Sequence, residues 1–488
     1  GRTSTKYSEV RSSMQSIFDE IIVNSFREVV EKSIAEFFSG KGLSAFQQEY
    51  RDGMNEIGTF IQQRLIEFID QELVEDPSLR EDWVIERRND EKTILSPFGP
   101  VVFKRTYFRN KTTGKYAYLA DRLVGYTPHQ RLDTLLEADL LEEVVNKSFR
   151  KSGESLEKQA RGTSVSGQTV LNVVRKFEPE QIEIKEKFKV KKKCQIIYIE
   201  ADEDHVAHQG KGTRAFEQRL VYVHEGRRRV GKDRYELIGK KYFTFEPGTK
   251  TEYIWNTIWQ YLDDTYELAE TEHIFILGDG ASWIKAGAEY IPCSTYVLDG
   301  FHLRMAILRA AGDNEDNRQA LAHVIWAGKR TKMNHLLQNF HADAKEESRK
   351  ETIRSVYKYL NNHWGAIQAR WHYQHLLVGC SAEGHVSHIL SARLSSRPMA
   401  WSYYGANQMA HLRVHRANNV DLHKIYLEQS GRHKKQIVNG VLPKASVTIL
   451  AKAAGASFET FGNIPSLRTG RRSYQPLLRQ ISNASLHL

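Results

Sequence analysis

Apolar residues recur at helical spacing in the first part of the chain, and this pattern predicts helices within residues 1–85. In the segment IFDEIIVNSFREVVEKSIAEFFS, apolar side chains return every three or four residues, as on one face of a helix. Gly40 and Gly42 interrupt this stripe, and a second stripe runs from Phe46 to Ile69. Such stripes usually form a core, and at a chain terminus they also suit self-association.

The period of the pattern then changes from that of a helix to that of a strand. In the segment SPFGPVVFKRTYFRNKTTGKYAYLADRLVGY, apolar and polar residues alternate, and residues 111–114 separate two strand-like runs. The alternation predicts a β-hairpin within a small module of residues 86–140. Helical patterning resumes near Pro128.

Residues 141–184 have the pattern of a helix-turn-helix, in which residues 161–163 form the turn. The second helix has an apolar face of Val170, Val173, Val174 and Phe177. Its polar face carries Gln168, Thr169, Asn172 and Arg175. Polar side chains on such a helix are suited to contact bases in a DNA groove. Two short helices joined by glycine also occur in many all-α domains, so both interpretations remain.

After residue 185 the order of the predicted elements becomes informative. Three strands are followed by a helix, a strand, a short helix, a fifth strand and a long helical region. The order β-β-β-α-β-α-β is that of an RNase H-like fold, which starts with three antiparallel strands in a mixed sheet. We therefore predict a multidomain α+β protein with an RNase H-like α/β core. Its predicted parts are the first section of the core (185–302), a helical insertion (303–378), a core helix (379–404) and a basic C-terminal region (405–488).

Three carboxylates stand where such a core would use them. Asp202 lies at the end of the first strand, Asp279 follows the fourth, and Glu383 lies in the first turn of the core helix. Carboxylates held together by a sheet can bind two Mg²⁺ ions about 4 Å apart, which activate the attacking oxygen and stabilise the leaving oxygen. Oxygen ligands favour Mg²⁺, which Mn²⁺ can replace, over zinc. Each acid also has an ordinary interpretation, as a solvated strand residue, a turn residue or a partner of the helix dipole.

Further residues near these acids are candidates for accessory roles. Asp204 shares a strand face with Asp202 and competes with it as the first acid. Asp299 and His302 form a D-x-x-H after the fifth strand, which either orients the site or is an ordinary turn pair. Phosphate contacts and base stacking are predicted for a further set near Glu383. This set is Arg393, Arg397 and Trp401.

The charge distribution indicates the class of partner. The net charge is +10, and residues 405–488 hold twelve Lys and Arg against three Asp and Glu. A concentrated basic surplus favours a polyanion, most simply double-stranded DNA, although a solvated tail has the same composition.

An apolar content of 40% excludes a disordered chain, and no apolar run is long enough for a membrane span. Three distant cysteines argue against a disulfide scaffold and a cysteine-ligated zinc site. The first residues lack a secretion signal, so we expect a cytoplasmic protein.

Five spaced motifs carry a resemblance to a known family. They are YIEADEDHVA, LVYVHEG, ILGDGASWIK, VLDGFHL and CSAEGHVSHILSARLSSRPMAWS. Over residues 90–420 the chain resembles bacterial insertion-sequence transposases of the ISLre-two family, which are distantly Mutator-like. The resemblance implies a DDE-type transposase with Asp202, Asp279 and Glu383 as catalytic and metal-binding acids. It also relates Asp299 and His302 to the C/D-x-x-H signature of Mutator-like enzymes.

The same resemblance implies a reaction and an assembly. Transposon ends are nicked by Mg²⁺-dependent hydrolysis, and the freed 3′-hydroxyl attacks target DNA without a covalent enzyme intermediate. A synapse of two ends implies a homodimer or a larger assembly on the bacterial nucleoid. Without the resemblance, the residues predict only a metal-dependent, DNA-binding nuclease of RNase H-like fold. Two rivals remain: such a nuclease or resolvase without strand transfer, and a non-catalytic DNA-binding regulator whose acids are structural.

Overall fold

The structure is a computed structural model with α-helices and several β-sheets. It describes residues 23–157, 163, 165–178, 190–210, 212, 214–232 and 234–439. These residues divide into two compact units. The first lies within residues 1–140, 150–167 and 426–488, and the second comprises 141–149 and 168–425.

The first unit combines long helices with a three-stranded antiparallel sheet. Its elements are α1 (residues 23–36), a π-helical turn (Phe37–Lys41), α2 (Leu43–Glu75), a 3-10 turn (Pro77–Leu79), β1 (Trp83–Ser96), β2 (Gly99–Asn110), β3 (Tyr116–Tyr118) and α3 (Leu119–Val124). The strand order is β1-β2-β3. The described part of the predicted helices is present as α1 and α2, and the predicted hairpin joins β2 to β3.

Strand β1 is an element that the hydrophobic pattern did not predict. It begins at Trp83, inside the segment assigned to helices, and pairs with β2 along its length. Its middle part carries exposed charged side chains, and the register shifts between Ile85 and Asp90. Because these charges and irregularities interrupt the alternation of polar and apolar residues, the period-two signal is lost.

Buried carboxylates in the first unit have partners on the neighbouring strands. Asp70 of α2 accepts hydrogen bonds from the backbone N–H of Thr106 (2.9 Å) and from its hydroxyl (2.7 Å). Asp121 of α3 pairs with Lys92 at 2.9 Å and with Arg105. These polar contacts fix the two helices against the sheet.

Three helices, named next, have residues in both units. They are α4 (Thr134–Val144), α5 (Phe149–Ser155) and, near the end of the described chain, α18 (Leu422–Asn439). The turn predicted for the helix-turn-helix lies mostly outside the described residues. The predicted recognition helix is present as α6 (Gly167–Lys176) in the second unit.

The second unit is built on a mixed five-stranded sheet. Its strands are β4 (Ile196–Ala207), β5 (Ala215–His224), β6 (Arg227–Arg229), β7 (Tyr235–Leu237), β8 (Lys241–Phe245), β9 (His273–Gly278) and β10 (Ser294–Leu298). Strands β6 and β7 pair only with each other, and the others follow the order β10-β9-β4-β5-β8. Strand β5 runs antiparallel to β4 and β8, whereas β4, β9 and β10 are parallel. The predicted strands of this region are therefore present, with the β6–β7 hairpin as an addition.

Helices and loops cover both faces of this sheet. On one face, α7 (Thr251–Thr265) packs Ile254, Trp255 and Ile258 against the apolar side chains of β4, β5 and β9. The short helices α8 (Ser282–Lys285) and α9 (Gly287–Tyr290) adjoin the same cluster. On the other face, Tyr198, Phe275, Leu277 and Val297 pack against the segment that contains Tyr373 and Leu376.

The predicted insertion after β10 is helical. It contains α10 (Gly300–Ala311), α11 (Glu315–Trp326), α12 (Arg330–Asp343), α13 (Glu347–Asn362) and α14 (Trp364–His372). These helices share one apolar core that includes Leu303, Leu321, Met333 and Leu360. The region is therefore a subdomain with its own core, as its repeated helical pattern predicts.

The predicted core helix is divided into three pieces. These are α15 (Ala382–Val386), a π-helical turn (Ser387–Ser391) and α16 (Ala392–Leu394), followed by α17 (Tyr403–Ala417). Residues 440–488, which hold much of the predicted basic region, lie outside the described residues. Within the described part of the chain, every helix is too short or too polar to cross a membrane.

Candidate active site

The second unit brings three aspartates to one edge of its sheet. Asp202 lies in β4, Asp279 directly follows β9, and Asp299 directly follows β10. Because these three strands are parallel neighbours, their carboxyl ends meet at the same edge. The register pairs Glu200 with Leu277, and its continuation by two residues brings Asp202 opposite Asp279.

Glycines shape the turn that carries Asp279. A Cβ atom on Gly278 would lie 2.7 Å from a methyl group of Ile284, so only glycine allows this close packing. Gly280 has a φ of 110°, a left-handed conformation that glycine adopts readily. The turn is closed by a hydrogen bond from the backbone N–H of Ala281 to the Asp279 carboxylate (2.8 Å). The Gly-Asp-Gly sequence thus fixes the carboxylate at the strand end.

Asp202 and Asp279 interact electrostatically as like charges. Burial raises the pKa of Asp202 to about 6, and the negative charge of Asp279 adds to this increase. One hydrogen bond, from the backbone N–H of Glu203 at 2.8 Å, favours the ionised form but does not offset these effects. The pair is therefore a site at which a cation would be stabilised.

Asp299 and His302 form a second pair beside this one. Asp299 caps α10 by accepting a hydrogen bond from the backbone N–H of Phe301, and its other oxygen lies 3.0 Å from Nδ1 of His302. Burial opposes ionisation of Asp299, but the bonds from His302 and Phe301 outweigh it and lower its pKa. The bond to Asp299 raises the pKa of His302, and the charges of Asp279 and Asp202 raise it further. The imidazole thus responds to all three aspartates.

A segment from residue 376 to residue 395 follows the same face of β4. It is joined to the strand by contacts of Tyr198 with Leu376, of Glu200 with Ser381, and of Asp204 with Ser391 and Ser395. Side chains alternate along a strand, so Asp202 lies between Glu200 and Asp204 on this face. The part of the segment that passes Asp202 therefore includes α15, with Glu383 in its first turn.

Glu383 lies on this helix, but within the described residues its side chain is not bonded to Asp202, Asp279 or Asp299. Its side chain is exposed and forms no hydrogen bond or ion pair within the described residues. In the same part of the chain, no three His, Cys, Asp or Glu side chains are arranged closely enough to hold a metal ion. The structure thus brings Asp202 and Asp279 together and leaves Glu383 on the adjacent helix. Its role as the third acid stays a prediction.

Asp202 and Asp279 fit one hard divalent cation. Their carboxylates come from adjacent strands, and the raised pKa of Asp202 reflects a charge that the protein's own cations do not neutralise. Mg²⁺ is commonly held by one or two carboxylates together with substrate phosphates, so two side chains suffice for one ion. A second ion stays a prediction that depends on Glu383.

Glu200 lies on the same face of β4 as Asp202, and the sequence pattern left open that it is simply solvated, but the structure buries it. Its side chain is 1% exposed, and His224 lies 2.9 Å from one carboxylate oxygen. The other oxygen accepts hydrogen bonds from the Tyr222 hydroxyl and from the backbone N–H of Ser381 (2.6 Å). Burial opposes ionisation, but these donors lower the pKa of Glu200. The available sequence signal was a glutamate directly after the apolar start of the strand.

Asp204 also has structural partners. Its Oδ1 atom accepts hydrogen bonds from the hydroxyls of Ser391 (2.9 Å) and Ser395 (2.7 Å), which attach the segment after α15 to β4. Its Oδ2 atom is buried and has no hydrogen-bond partner within the described residues. These contacts favour Asp202 over Asp204 as the first acid, because Asp202 is the one that interacts with Asp279.

Two of the residues predicted to contact DNA are buried, which revises their interpretation. The Arg393 guanidinium lies over the rings of Phe149 and Trp401 and donates to the carbonyl of Val144. The Trp401 indole donates to the carbonyl of Leu394. Both side chains therefore stabilise packing within the second unit, whereas Arg397 is exposed and keeps its predicted role.

The predicted orientation of α6 agrees with the structure. Val170, Val173, Val174 and Phe177 are buried. Gln168, Asn172 and Arg175 are exposed, and Thr169 is half-buried. The polar face is thus accessible, and its contact with DNA stays a prediction.

Comparison with known sequences identifies the family. A family model described as "Uncharacterised protein family (UPF0236)" matches residues 40–430 of the chain. The chain therefore belongs to this family.

Curated relatives match most of the chain. A UPF0236 protein of Caldanaerobacter subterraneus subsp. tengcongensis, whose name combines four locus designations, is 34% identical over 84% of this chain and 86% of its own length. A second protein of that organism has eleven locus designations in its name and is also 34% identical over the same shares. A Streptococcus gallolyticus protein, named for its place in the vanSb 3′ region, is 26% identical over 80% of this chain and 86% of its own length.

Proposed function

We propose that the protein is a DNA transposase of the DDE type. It binds the two ends of a mobile DNA element, nicks them by Mg²⁺-dependent hydrolysis and joins each freed 3′-hydroxyl to target DNA. The proposal includes an RNase H-like catalytic core, action as a homodimer or a larger assembly, and a cytoplasmic, nucleoid-associated location.

The observation that carries the proposal is the Asp202–Asp279 pair at the edge of the mixed sheet. The pair lies on the first and fourth of five strands with the order β10-β9-β4-β5-β8, in which only the second strand is antiparallel to the others. This order and these directions are those expected for an RNase H-like core. A carboxylate with its pKa raised to about 6 beside a second carboxylate supports a catalytic site at this edge.

The residues of this edge have distinct proposed roles. Asp202 and Asp279 hold Mg²⁺, and Glu383 approaches from α15 when DNA is bound. Bound Mg²⁺ supplies an activated water and stabilises the leaving oxygen. His302 lies 3.0 Å from Asp299, which raises its pKa, and it positions a phosphate near the two acids.

The relatives support a mobile gene. One protein name combines eleven locus designations from a single organism, and another combines four. Repeated copies of one protein sequence in one genome are expected of an element that moves itself. A nuclease or resolvase that serves the host requires no such copy number.

DNA binding is assigned to the exposed polar face of α6, to Arg397 and to the basic C-terminal region. The face of α6 presents Gln168, Asn172 and Arg175, with Thr169 at its edge. The basic residues contact phosphates, whereas the polar side chains of α6 are placed to contact bases. A strong decrease in affinity with added salt is therefore expected.

The test is a cleavage and joining assay on labelled duplexes that carry the ends of the element encoding the protein. Wild type is compared with Glu383→Gln in Mg²⁺ and in EDTA, after both are shown to bind the same DNA. Glu252→Gln is the matched control, because Glu252 also lies exposed in the first turn of a helix. Metal-dependent nicks and joined products that only Glu383→Gln lacks are expected.

Other outcomes separate the rivals. Nicks without joined products would indicate a nuclease or resolvase of the same fold. Binding without cleavage in Mg²⁺ or Mn²⁺ would indicate a DNA-binding regulator and would contradict the assignment of all three acids.

A further inference from the structure

A cavity of about 510 Å³ lies next to the candidate active site within the second unit. The β6–β7 hairpin forms one wall, and residues 378–381 with His385 form the other. Glu200 of β4 also contributes to its lining. The hairpin is exposed and rich in basic residues.

The cavity lining has an excess of positive charge. Arg227, Arg234 and Lys240 line it, and none of them forms an ion pair with a carboxylate within the described residues. The two acids that line it have other partners. Glu236 pairs with Arg228 at 3.0 Å, which lies outside the lining, and Glu200 accepts hydrogen bonds from Tyr222 and Ser381. An anionic ligand is therefore favoured over a cationic or neutral one.

Flat side chains lie beside these charges. The Arg227 guanidinium lies 4.5 Å from the centre of the Tyr235 ring, which is 52% exposed. On the opposite wall, the His385 imidazole packs against the Tyr222 ring with their centres 4.7 Å apart. Rings and guanidinium planes of this kind stack on nucleobases.

The cavity is continuous with the residues of the candidate site along two elements. On α15, His385 lies two residues after Glu383, and Ser381 lies two residues before it. On β4, Glu200 lies two residues before Asp202, on the same face of the strand. A ligand in the cavity thus borders the helix and the strand that carry two of the candidate acids.

We propose that this cavity binds one unpaired nucleotide of a DNA strand next to the position of cleavage. Arg227, Arg234 and Lys240 contact its phosphates, and its base stacks on Tyr235. The volume is within the range of small-ligand sites and accommodates one nucleotide. The proposal deepens the proposed function, on which it rests for the identity of DNA as the ligand.

Fluorescence anisotropy with a labelled oligothymidylate of about five nucleotides tests the proposal without requiring cleavage. The full chain is used in EDTA, and a blunt duplex of similar charge is the comparison probe. Arg227→Ala/Arg234→Ala is expected to weaken binding of the oligothymidylate roughly tenfold or more and to reduce its salt dependence by about one to two counterions. Tyr235→Ala is expected to weaken it about tenfold, and Tyr235→Phe to bind like wild type.

The matched control is Arg229→Ala/Lys232→Ala. It removes two positive charges from the same hairpin, but neither residue lines the cavity, and the Arg229 side chain instead donates to the carbonyl of Gly231 (2.9 Å). This control is expected to bind the oligothymidylate within about twofold of wild type. Thermal unfolding midpoints of all variants check that each is folded.

Two results would overturn the proposal. One is equal binding of the oligothymidylate by wild type and Arg227→Ala/Arg234→Ala, and the other is an equal loss in the two double variants, which would indicate general charge attraction. Failure of the proposed function has a different signature. The cavity variants would then lose binding of the oligothymidylate as expected, while wild type would cut no DNA in Mg²⁺ or Mn²⁺.

Discussion

Buried or half-buried carboxylates occur in both units of this protein, but their surroundings are opposite. Asp121 in the first unit lies against two cations, Lys92 and Arg105. Asp202 in the second unit has one backbone donor and faces another carboxylate, Asp279. The first carboxylate is paired with two cations, whereas the second faces a like charge that the nearby His302 imidazole does not fully offset.

The difference indicates which acid contributes to stability and which to function. A buried carboxylate with two cations holds its helix in place, and removal of any partner leaves an unpaired buried charge. A carboxylate whose pKa is raised to about 6 by burial and a like charge makes ionisation costly at neutral pH. Such a cost is characteristic of sites where a bound cation or a substrate relieves it.

The largest effect is expected on the rate of DNA cleavage when the negative charge of Asp279 is removed. Asp279→Asn should reduce cleavage of DNA roughly a thousandfold or more, because it removes one of two ligands for Mg²⁺, while DNA affinity stays similar. Nicking rates with labelled duplexes and binding by anisotropy measure the two effects. Asp316→Asn, which changes an exposed aspartate of α11, is the control. A folded Asp279→Asn protein that still nicks would refute the assignment.

The next effect concerns stability in the first unit. Asp121→Asn should lower the free energy of unfolding by about 3 kcal/mol, because Lys92 and Arg105 lose the carboxylate that neutralises them. Urea unfolding measures this change. Asp90→Asn, which affects an ion pair with the exposed Arg87, should lower it by less than about 1 kcal/mol. Equal losses of unfolding free energy in Asp121→Asn and Asp90→Asn would show that the buried Asp121 contributes no special stability. The contrast with Asp202 of the second unit would then not hold.

A smaller effect of opposite sign is expected for Asp202→Asn. In the folded state the pKa of Asp202 is about 6, against an ordinary value of 3.8, so the folded protein binds the proton more tightly than the unfolded chain. The stabilisation by this proton is complete below pH 3.8 and is lost as the pH rises through about 6. Asparagine stays neutral throughout, so the variant should be more stable than wild type by about 1.5 kcal/mol at pH 8, after allowance for partial exposure.

Urea unfolding at several pH values in EDTA measures this difference, which should vanish near pH 4. Mg²⁺ should then raise the stability of wild type at pH 8 but not that of Asp202→Asn. A variant that is less stable than wild type at pH 8 in EDTA would show that the Asp202 charge is compensated in the fold.

The smallest effect concerns stability, and it tests whether Asp202 or Asp204 is the first catalytic acid. Ser391→Ala should lower the free energy of unfolding by about 1 kcal/mol, because it removes one of two hydroxyl donors to Asp204. Cleavage should change little if Asp204 is structural. If Ser391→Ala lost most of its cleavage activity while its unfolding midpoint stayed unchanged, Asp204 rather than Asp202 would be assigned as the first acid.

Elements with a regular repeat of apolar residues could be predicted from the sequence, and elements with an irregular pattern could not. The apolar stripe of α6 and the run of buried residues in β9 are local signals that survive in the structure. Strand β1 was missed because charges of its exposed middle part interrupt the alternation. The division of the core helix into α15, a π-helical turn and α16 was also missed, because Ser391 and Ser395 are held by Asp204, a residue far away in the sequence.

Prediction of the candidate site from the sequence was limited in the same way, because it found local features and missed contacts between residues far apart in the chain. Asp279 and the Asp299–His302 pair were identified from their places after apolar strands, and strand ends are local features. Asp202 was also expected at the end of its strand, but β4 continues to Ala207, so this part of the prediction was wrong. Burial of Arg393 and Trp401, by contrast, depends on the ring of Phe149, more than two hundred residues earlier in the chain. Residues of this kind look like surface candidates in the sequence because their burial partners are not neighbours along the chain.

By itself, the sequence determined the types of the main elements, their order along the chain and the residues at the strand ends, because period, turn residues and charge are set within a few neighbours. Only the tertiary structure decided which strands became neighbours and therefore which carboxylates face each other. It also decided that Glu200 and Asp204 serve packing while Asp202 faces Asp279. The physical reason is that hydrogen bonding, burial and Coulomb interactions act over a few ångströms in space, whatever the separation along the chain.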